Sequence, residues 1–288
     1  MTLPSSPRGL DCAGKVLDLS RPCIMGIVNV TPDSFSDGGQ FIDPDAAVAH
    51  ARRLVAEGAD IVDIGGESTR PGAAPVDADA EIRRVIPVVE RLAAELPVPI
   101  SVDTGKPEVI RAAAAAGAGM INDVYALRAP GALEAAAETG LPVCVMHMQG
   151  EPRTMQQNPQ YDDVVAEVAA FLADRAAACV AAGIGRERIV IDPGFGFGKT
   201  LRHNYQLLAR LPELARLDWP VLVGMSRKSM IAGVLDAGED RTVASATAAA
   251  LAVLRGAAIV RVHDVAATAV ALSVATAVQA PDRIRTED

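Results

Sequence analysis

Eight short runs rich in Val and Ile punctuate this chain, and nearly every one stops on a polar residue: IMGIVN, IVDIGGE, ISVD, MINDV, VCVMH, IVIDPG, VLVGMS and IVRVHD. The runs are too short for helices and are separated by Ala-, Leu-, Glu- and Arg-rich stretches, which is the strand-helix alternation of a parallel α/β protein. Closed on itself, such a series is a (β/α)8 TIM barrel. The residues at the ends of the runs, Asn29, Glu67, Asp103, Asn122, His147, Asp192, Ser226 and His263, then ring one mouth. That C-terminal mouth is where barrels of this kind do their chemistry.

The 288 residues, half of them hydrophobic, fit one such barrel with its inner core and outer helix layer. The segment KVLDLSRP, ahead of the first run, reads as an extended piece that closes the barrel floor. The expected division is an N-terminal extension over 1–20, a barrel domain over 21–280 and a polar tail over 281–288. Helix starts are expected where Pro44 follows Asp43 and Pro107 follows Lys106, and stops at Gly58, Gly117 and Gly183. A net charge of -9 argues against a nucleic-acid or anionic-membrane surface, so any anionic substrate must be caught by a local cluster of cations. Cys12, Cys23, Cys144 and Cys179 are spaced for neither a zinc site nor a disulfide framework, and idle thiols are expected. MTLPSSPRGLD lacks the apolar core of a leader and no run reaches membrane-spanning length, so a soluble cytoplasmic protein is expected.

Polar insertions follow particular runs: NVTPDSFSDGGQF the first, GGESTRPGA the second and MQGEPRTMQQNPQ the fifth. Projecting from the mouth, they suit a lid over a ligand, with Phe35 as a stacking surface and Arg70 as an anion hook; ordinary solvated loops remain the alternative. Asp103, Asn122 and Asp192 would accept the amino and ring N–H protons of a flat, guanidine-like heterocycle, although strand-end Asp and Asn also cap helices. Opposite them, Lys228, Arg261, His263 and Arg70 describe a phosphate or diphosphate pocket. Alternation along the eighth run puts Arg261 and His263 on one face, and Lys228 is expected at a helix start whose amides favour anions. DPGFGFGKT fails as a nucleotide-binding loop because Pro193 holds the first required glycine position. Its glycines instead permit close approach to a flat ligand, with Phe195 or Phe197 stacking on it or packing in the core. His147 has no metal-motif partner and reads as a packed or supporting residue.

In order and spacing, MGIVNVTPDSFSDGG, DIGGESTRPGA, SVDTGKPEV, INDV, VMHMQGEPRTMQ, DPGFGFGKT, LVGMSRKS and RVHDV resemble dihydropteroate synthase of folate biosynthesis, from about the LDLS segment to the final helix. The resemblance implies a barrel enzyme, usually a homodimer, that joins 4-aminobenzoate to the methylene carbon of a dihydropterin diphosphate. Diphosphate is released with the help of Mg²⁺, and the family is the sulfonamide target. Carried over by motif, Asn29 contacts the metal. Asp103, Asn122, Asp192 and Lys228 hold the pterin, with Asp63, Met146 and Phe197 as wall residues. Thr69, Arg70, Arg261 and His263 hold the diphosphate, and Phe35, Pro71 and Ser229 form the aminobenzoate pocket. Lys228, Arg70 and the first-loop residues Asp33 and Asp37 are implied in catalysis. Tyr125 to Pro130 carry no expected chemistry.

No strong nucleophile or His-Asp base pair presents itself, which agrees with the dissociative displacement that the resemblance implies. Two other readings are a pterin-binding paralogue without catalysis and a methyltetrahydrofolate-dependent methyltransferase. Complete lid and anion motifs argue against the first, and the SRKS and RVHD segments against the second.

Overall fold

The computed structural model describes residues 9–31, 43–68, 75–151 and 154–283. A hairpin of β1 (Gly9–Cys12) and β2 (Lys15–Asp18) leads into the barrel strands β3 (Cys23–Asn29), β4 (Ile61–Gly65), β5 (Ile100–Asp103), β6 (Met120–Asp123), β7 (Val143–Met146), β8 (Ile189–Asp192), β9 (Leu222–Val223) and β10 (Ile259–Val262). Their order in the sheet is β8-β7-β6-β5-β4-β3-β10-β9, with every adjacent pair parallel. A single bridge, Ile191 to Val221, and the 3.0 Å hydrogen bond from Ile191 N to Pro220 O join β8 to the start of β9. The eight strands thus form a nearly closed barrel.

The helices follow the strands: α1 (Pro44–Ala56), α2 (Ala78–Glu95), α3 (Pro107–Ala115), α4 (Ala132–Thr139), α5 (Val164–Ala181), α6 (Leu201–Ala209), α7 (Leu211–Ala215), α8 (Ser229–Ala232), α9 (Arg241–Leu254) and α10 (Val265–Gln279). Proline opens α1 and α3 as expected, and Asp43 caps α1 by accepting from Asp45 N at 2.8 Å. Gly58, Gly117 and Gly183 lie two residues past the ends of α1, α3 and α5. Two units depart from one helix per strand. Pro212 starts the separate α7, and the seventh strand is followed by the single turn α8 before α9.

Two apolar layers explain why the runs are apolar at nearly every position, since a strand inside a barrel is covered on both faces. The outer layer packs Val28, Val62, Ile64 and Val102 against Leu54, Val88, Val89, Leu92 and Ile110 of the helices. The inner layer is the floor: Cys23, Met25, Ile61, Met120, Cys144, Val190, Leu222 and Ile259, from every barrel strand except β5, meet Leu10, Cys12 and Leu17 of the hairpin. The segment expected to close the floor is therefore an antiparallel hairpin rather than a lone extended piece. Close docking requires a glycine beneath it. A Cβ on Gly119 would lie 2.7 Å from Cys12 O. Lys15 Nζ ties the hairpin to the end of α2 through Ala93 O and Leu96 O, at 2.9 and 2.7 Å. All four cysteines are free and buried, and burial pushes the Cys12 and Cys23 thiols up to about 12, so they stay protonated and unreactive.

The floor excludes water from beneath the mouth. Truncating Leu17 to Ala should destabilise the protein by about 2 to 5 kcal/mol through a cavity at the plug. Urea unfolding followed by circular dichroism measures this, and an unchanged midpoint would show that the hairpin is not part of the core.

Candidate active site

Asp63 sits in the middle of β4, wholly buried, and Asp103 ends β5 beside it. Neither charge belongs in a barrel interior unless it is paired. Arg261, from β10, supplies the pairing: Nε donates to Asp63 Oδ2 at 2.6 Å and Nη2 to Asp103 Oδ2 at 3.0 Å. Asn122 Nδ2 donates to the same Asp63 oxygen at 3.1 Å. Two carboxylates, an amide and a guanidinium from four strands thus form one network. This corrects the expected segregation of acids on one side and cations on the other, because Arg261 spans both. Its Nη1 edge has no partner among the described residues, so it can still meet an anion while the carboxylates hold it in place.

Burial outweighs the Arg261 charge at Asp103 and, with Asp63 adding repulsion, pushes its carboxyl up to about 7. Burial likewise raises Asp192 at the end of β8, opposed by the Lys228 charge and by Gly194 N, which donates to Asp192 Oδ1 at 2.7 Å. Lys228 is lowered to about 8 by burial, with Asp192 resisting. Its Nζ donates to Phe195 O at 2.7 Å and lies 4.5 Å from the centre of the Phe197 ring. Met146, Met148, Met155, Val124 and Phe197 form a small apolar cluster with Tyr125 against it. Tyr125, in a stretch with no expected chemistry, therefore contributes to the wall.

His263 N donates to Ser226 Oγ at 3.2 Å, and that hydroxyl faces His263 Nδ1 at 3.0 Å. A hydroxyl that accepts the amide and donates to Nδ1 leaves the neutral ring's proton on Nε2, an assignment made from the hydrogen-bond pattern. One residue along, Arg227 pairs with Asp264 through Nε and Nη2 at 2.9 and 2.5 Å, so the loops after β9 and β10 are latched twice. The expected helix start at Lys228 is the four-residue α8, too short for a substantial dipole, which leaves the side chains as the principal charges there. Ser229 is exposed at its first position.

The DPGFGFGKT loop differs from expectation in what it approaches. Gly194 and Gly198 have φ of +66° and +62°, and a Cβ on them would lie 1.9 Å from His147 O and 2.4 Å from Gln149 O. These glycines let the loop lie against the protein's own backbone after β7. Phe195 is fully buried in the core, which excludes it as a stacking face, whereas Phe197 joins the mouth cluster. His147 is packed, as expected: Lys199 Nζ lies 2.9 Å from its Nδ1, the Phe171 ring meets it edge-on at 4.9 Å, and burial followed by the Lys199 charge lowers it to about 2. Lys199 itself was not among the expected residues; its sequence signal was the lysine of a motif dismissed as a failed nucleotide loop. Also missed is the cluster in which Lys106 binds Glu67 and, at 2.5 Å, Glu81, fixing the chain just beyond β4 and β5.

For a cation, the mouth offers the half-buried Asn29 at the end of β3, whose Oδ1 would lie 3.8 Å from a Cβ on Gly65. Among the described residues, no three His, Cys, Asp or Glu side chains gather as metal donors. Asp33, Phe35, Asp37, Thr69, Arg70 and Pro71 lie outside the described residues. No described helix is long and apolar enough to cross a membrane.

Known proteins carry the same arrangement of segments. The model of the pterin binding enzyme family matches residues 25–263. The chain is 57% identical over 265 residues to dihydropteroate synthase of Escherichia coli (strain K12), covering 92% of this chain and 94% of the relative. It is 54% identical over 261 residues to that of Haemophilus influenzae, covering 90% and 95%. Among solved structures, Xanthomonas albilineans dihydropteroate synthase with 4-aminobenzoic acid superposes with a TM-score of 0.89 at 59% identity, covering 96% of this chain and 99% of that one. The same enzyme in complex with 7,8-dihydropteroate gives 0.85 at 57%, covering 94% and 99%. The Yersinia pestis enzyme in a sulfonamide drug complex gives 0.90 at 53%, also covering 94% and 99%. With the barrel and the motifs around its mouth matched at more than half identity, this chain belongs to the dihydropteroate synthases of the pterin-binding enzyme family.

Proposed function

We propose that this chain joins 4-aminobenzoate to the methylene carbon of a dihydropterin diphosphate, releasing diphosphate, with the pterin head held by the rim acids. The observation that carries this reading is the convergence of Asp63, Asp103, Asn122 and Arg261 in one network, with Asp192 and Lys228 beside an apolar wall. A pterin presents an amino group and ring N–H donors along one edge, which Asp103 and Asp192 suit as acceptors. Its carbonyl and ring nitrogens suit Asn122 and Lys228 as donors. Met146 and Phe197 supply flat apolar contacts.

The reaction breaks the bond from the methylene carbon to the diphosphate oxygen and forms one from that carbon to the arylamine nitrogen, which then loses a proton. Arg261, through its Nη1 edge, and His263 act on the departing oxygens, where charge develops. An arylamine is nucleophilic when neutral, so the chain's task is to position it and exclude water rather than to abstract a proton. His147, lowered to about 2, is no base for this step. Thr69 and Arg70 are proposed on the diphosphate, and Phe35, Pro71 and Ser229 around the aminobenzoate. Asp33 and Asp37 are proposed to act with Lys228 and Arg70 in catalysis. A single neutral amide oxygen fits a hard cation that keeps most of its waters, so Asn29 would hold Mg²⁺. When bound, the ion supplies neutralisation of diphosphate charge. We also propose a homodimer. Val270, Val274 and Val278 recur one turn apart on α10 at 70, 64 and 65% exposure, a stripe that a second copy would cover.

Incubating the protein with Mg²⁺ and both substrates should yield dihydropteroate, and no product would overturn the reading. Alanine at Asp103 or Asp192 should reduce calorimetric affinity for a 6-hydroxymethyl-dihydropterin by roughly a hundredfold, two charged hydrogen bonds being lost. Unchanged affinity would disprove the assigned pocket.

The same titration against pH should give a bell. Ionised Asp103 accepts from the pterin, so binding strengthens as pH rises through about 7. Protonated Lys228 donates to it, so binding weakens above about 8. Asp103→Asn should remove the acid limb and Lys228→Arg the alkaline one. A limb that persists in its own variant belongs to another group.

A further inference from the structure

The segment Pro193–Gly198 carries three positive-φ glycines and has few side chains with which to hold itself. Donors and acceptors from elsewhere hold it instead, nearly peptide by peptide. Asp192 Oδ1 accepts from Gly194 N at 2.7 Å, Asn204 Oδ1 accepts from Gly196 N at 2.7 Å, and Gln156 Nε2 donates to Gly196 O. Tyr161 OH donates to Gly198 O at 2.8 Å. Lys228 takes Phe195 O. Lys199 alone takes two carbonyls, Gly194 O and Phe197 O, each at 2.9 Å, and also contacts His147 Nδ1 at 2.9 Å.

We propose that Lys199, buried at 3% exposure, is a positioning residue that locks the loop after β8 to the loop after β7 and so sets the pterin-facing geometry of Asp192, Phe197 and Lys228. The loop after β8 gives Phe197 to the mouth cluster, and the loop after β7 gives Met148 and Met155. His147 stands between them, and Nζ bonds to both from a buried position, whereas Gln156 and Tyr161 each tie the loop after β7 to a single peptide of the other. With Phe195 O and the Phe197 ring as two contacts of Lys228, a shift of this loop moves the lysine as well.

The lock works in either protonation state. As an ammonium, Nζ has three N–H groups for Gly194 O, Phe197 O and His147 Nδ1. As a neutral amine it keeps two for the carbonyls and offers its lone pair to a proton on Nδ1. Burial lowers Lys199 well below its ordinary range, with Asp192 opposing. A methionine in its place has similar length but no donor, and leaves Phe197 O without its partner and Gly194 O with only the Phe197 N bond at 3.1 Å.

This inference rests on the pterin reading of the rim, and the experiment separates the two. Lys199→Met, Lys199→Gln, Asp192→Asn and the wild type are compared by calorimetry with a 6-hydroxymethyl-dihydropterin, by steady-state kinetics with both substrates, and by thermal unfolding. Lys199→Met should bind the pterin roughly tenfold weaker, as expected when a buried carbonyl next to the site loses its partner. Its KM for 4-aminobenzoate at saturating pterin should stay near the wild-type value. Lys199→Gln keeps two donors and should recover part of the affinity, and it serves equally if the methionine variant does not fold. Wild-type pterin affinity in a folded Lys199 variant, or equal losses for both substrates, would reduce Lys199 to general structural support and overturn the proposal. Undiminished binding in Asp192→Asn would instead overturn the pterin reading.

Discussion

The half-buried guanidinium of Arg261, held between Asp63 and Asp103, is the interaction on which the mouth is built. Isolated, each of these charges would be costly inside a barrel; together, with hydrogen bonds between them, they persist. The arrangement is only partly satisfied, since Asp63 Oδ1 and Ser101 Oγ, from register-paired positions on β4 and β5, are buried without partners among the described residues. Ser101 is also where β5 omits the apolar residue that each of the other seven strands gives to the floor. The barrel interior is thus graded, from a sealed apolar base through a strained polar layer to a charged rim. Such a gradient keeps the electrostatics of the rim strong by keeping water from beneath it.

That gradient was legible in part from residues alone. Parallel strands covered on both faces show as unbroken Val and Ile runs, and the polar residue closing each run marks the face where strands end, so the barrel and most of its rim could be read directly. What could not be read was which rim groups touch. Arg261 lies 198 residues from Asp63 and 158 from Asp103, and only closure of the sheet brings them together. Residue type suggested that cations gather round an anion and acids round a heterocycle, whereas desolvation demanded that some pair with each other first. The turn α8 was misjudged for a different reason: the expected helix start was placed correctly, but Gly233, which caps the helix after four residues, was not weighed as a stop.

The GFGFG segment was the harder case, because its glycines carry shape and no side-chain information. The sequence left Phe195 and Phe197 equivalent, each able to stack on a ligand or to pack in the core. Positive φ at Gly194, Gly196 and Gly198 breaks strand periodicity, so Phe195 turns into the core while Phe197 turns to the mouth. Reading the following lysine through the nucleotide-loop pattern gave it a phosphate to bind or no role at all. Its position, fully enclosed and bonded to main-chain carbonyls, gives it a different partner altogether.

A displacement that passes through an electron-poor carbon needs little proton transfer from the protein, and the inventory of titrating groups fits that demand. Asp103 and Lys228, shifted toward neutrality to about 7 and about 8, are poised to exchange hydrogen bonds with a polar ring rather than to act as strong base and strong acid. His147 is held neutral by burial and spends Nδ1 on Lys199. Removing proton transfer from the protein's tasks places the burden on geometry: a head group held still, a leaving group drawn away and an amine admitted from the other side. Side chains on strand ends, braced by their neighbours on adjacent strands, meet that burden better than mobile loops would, because their positions are set before any ligand arrives.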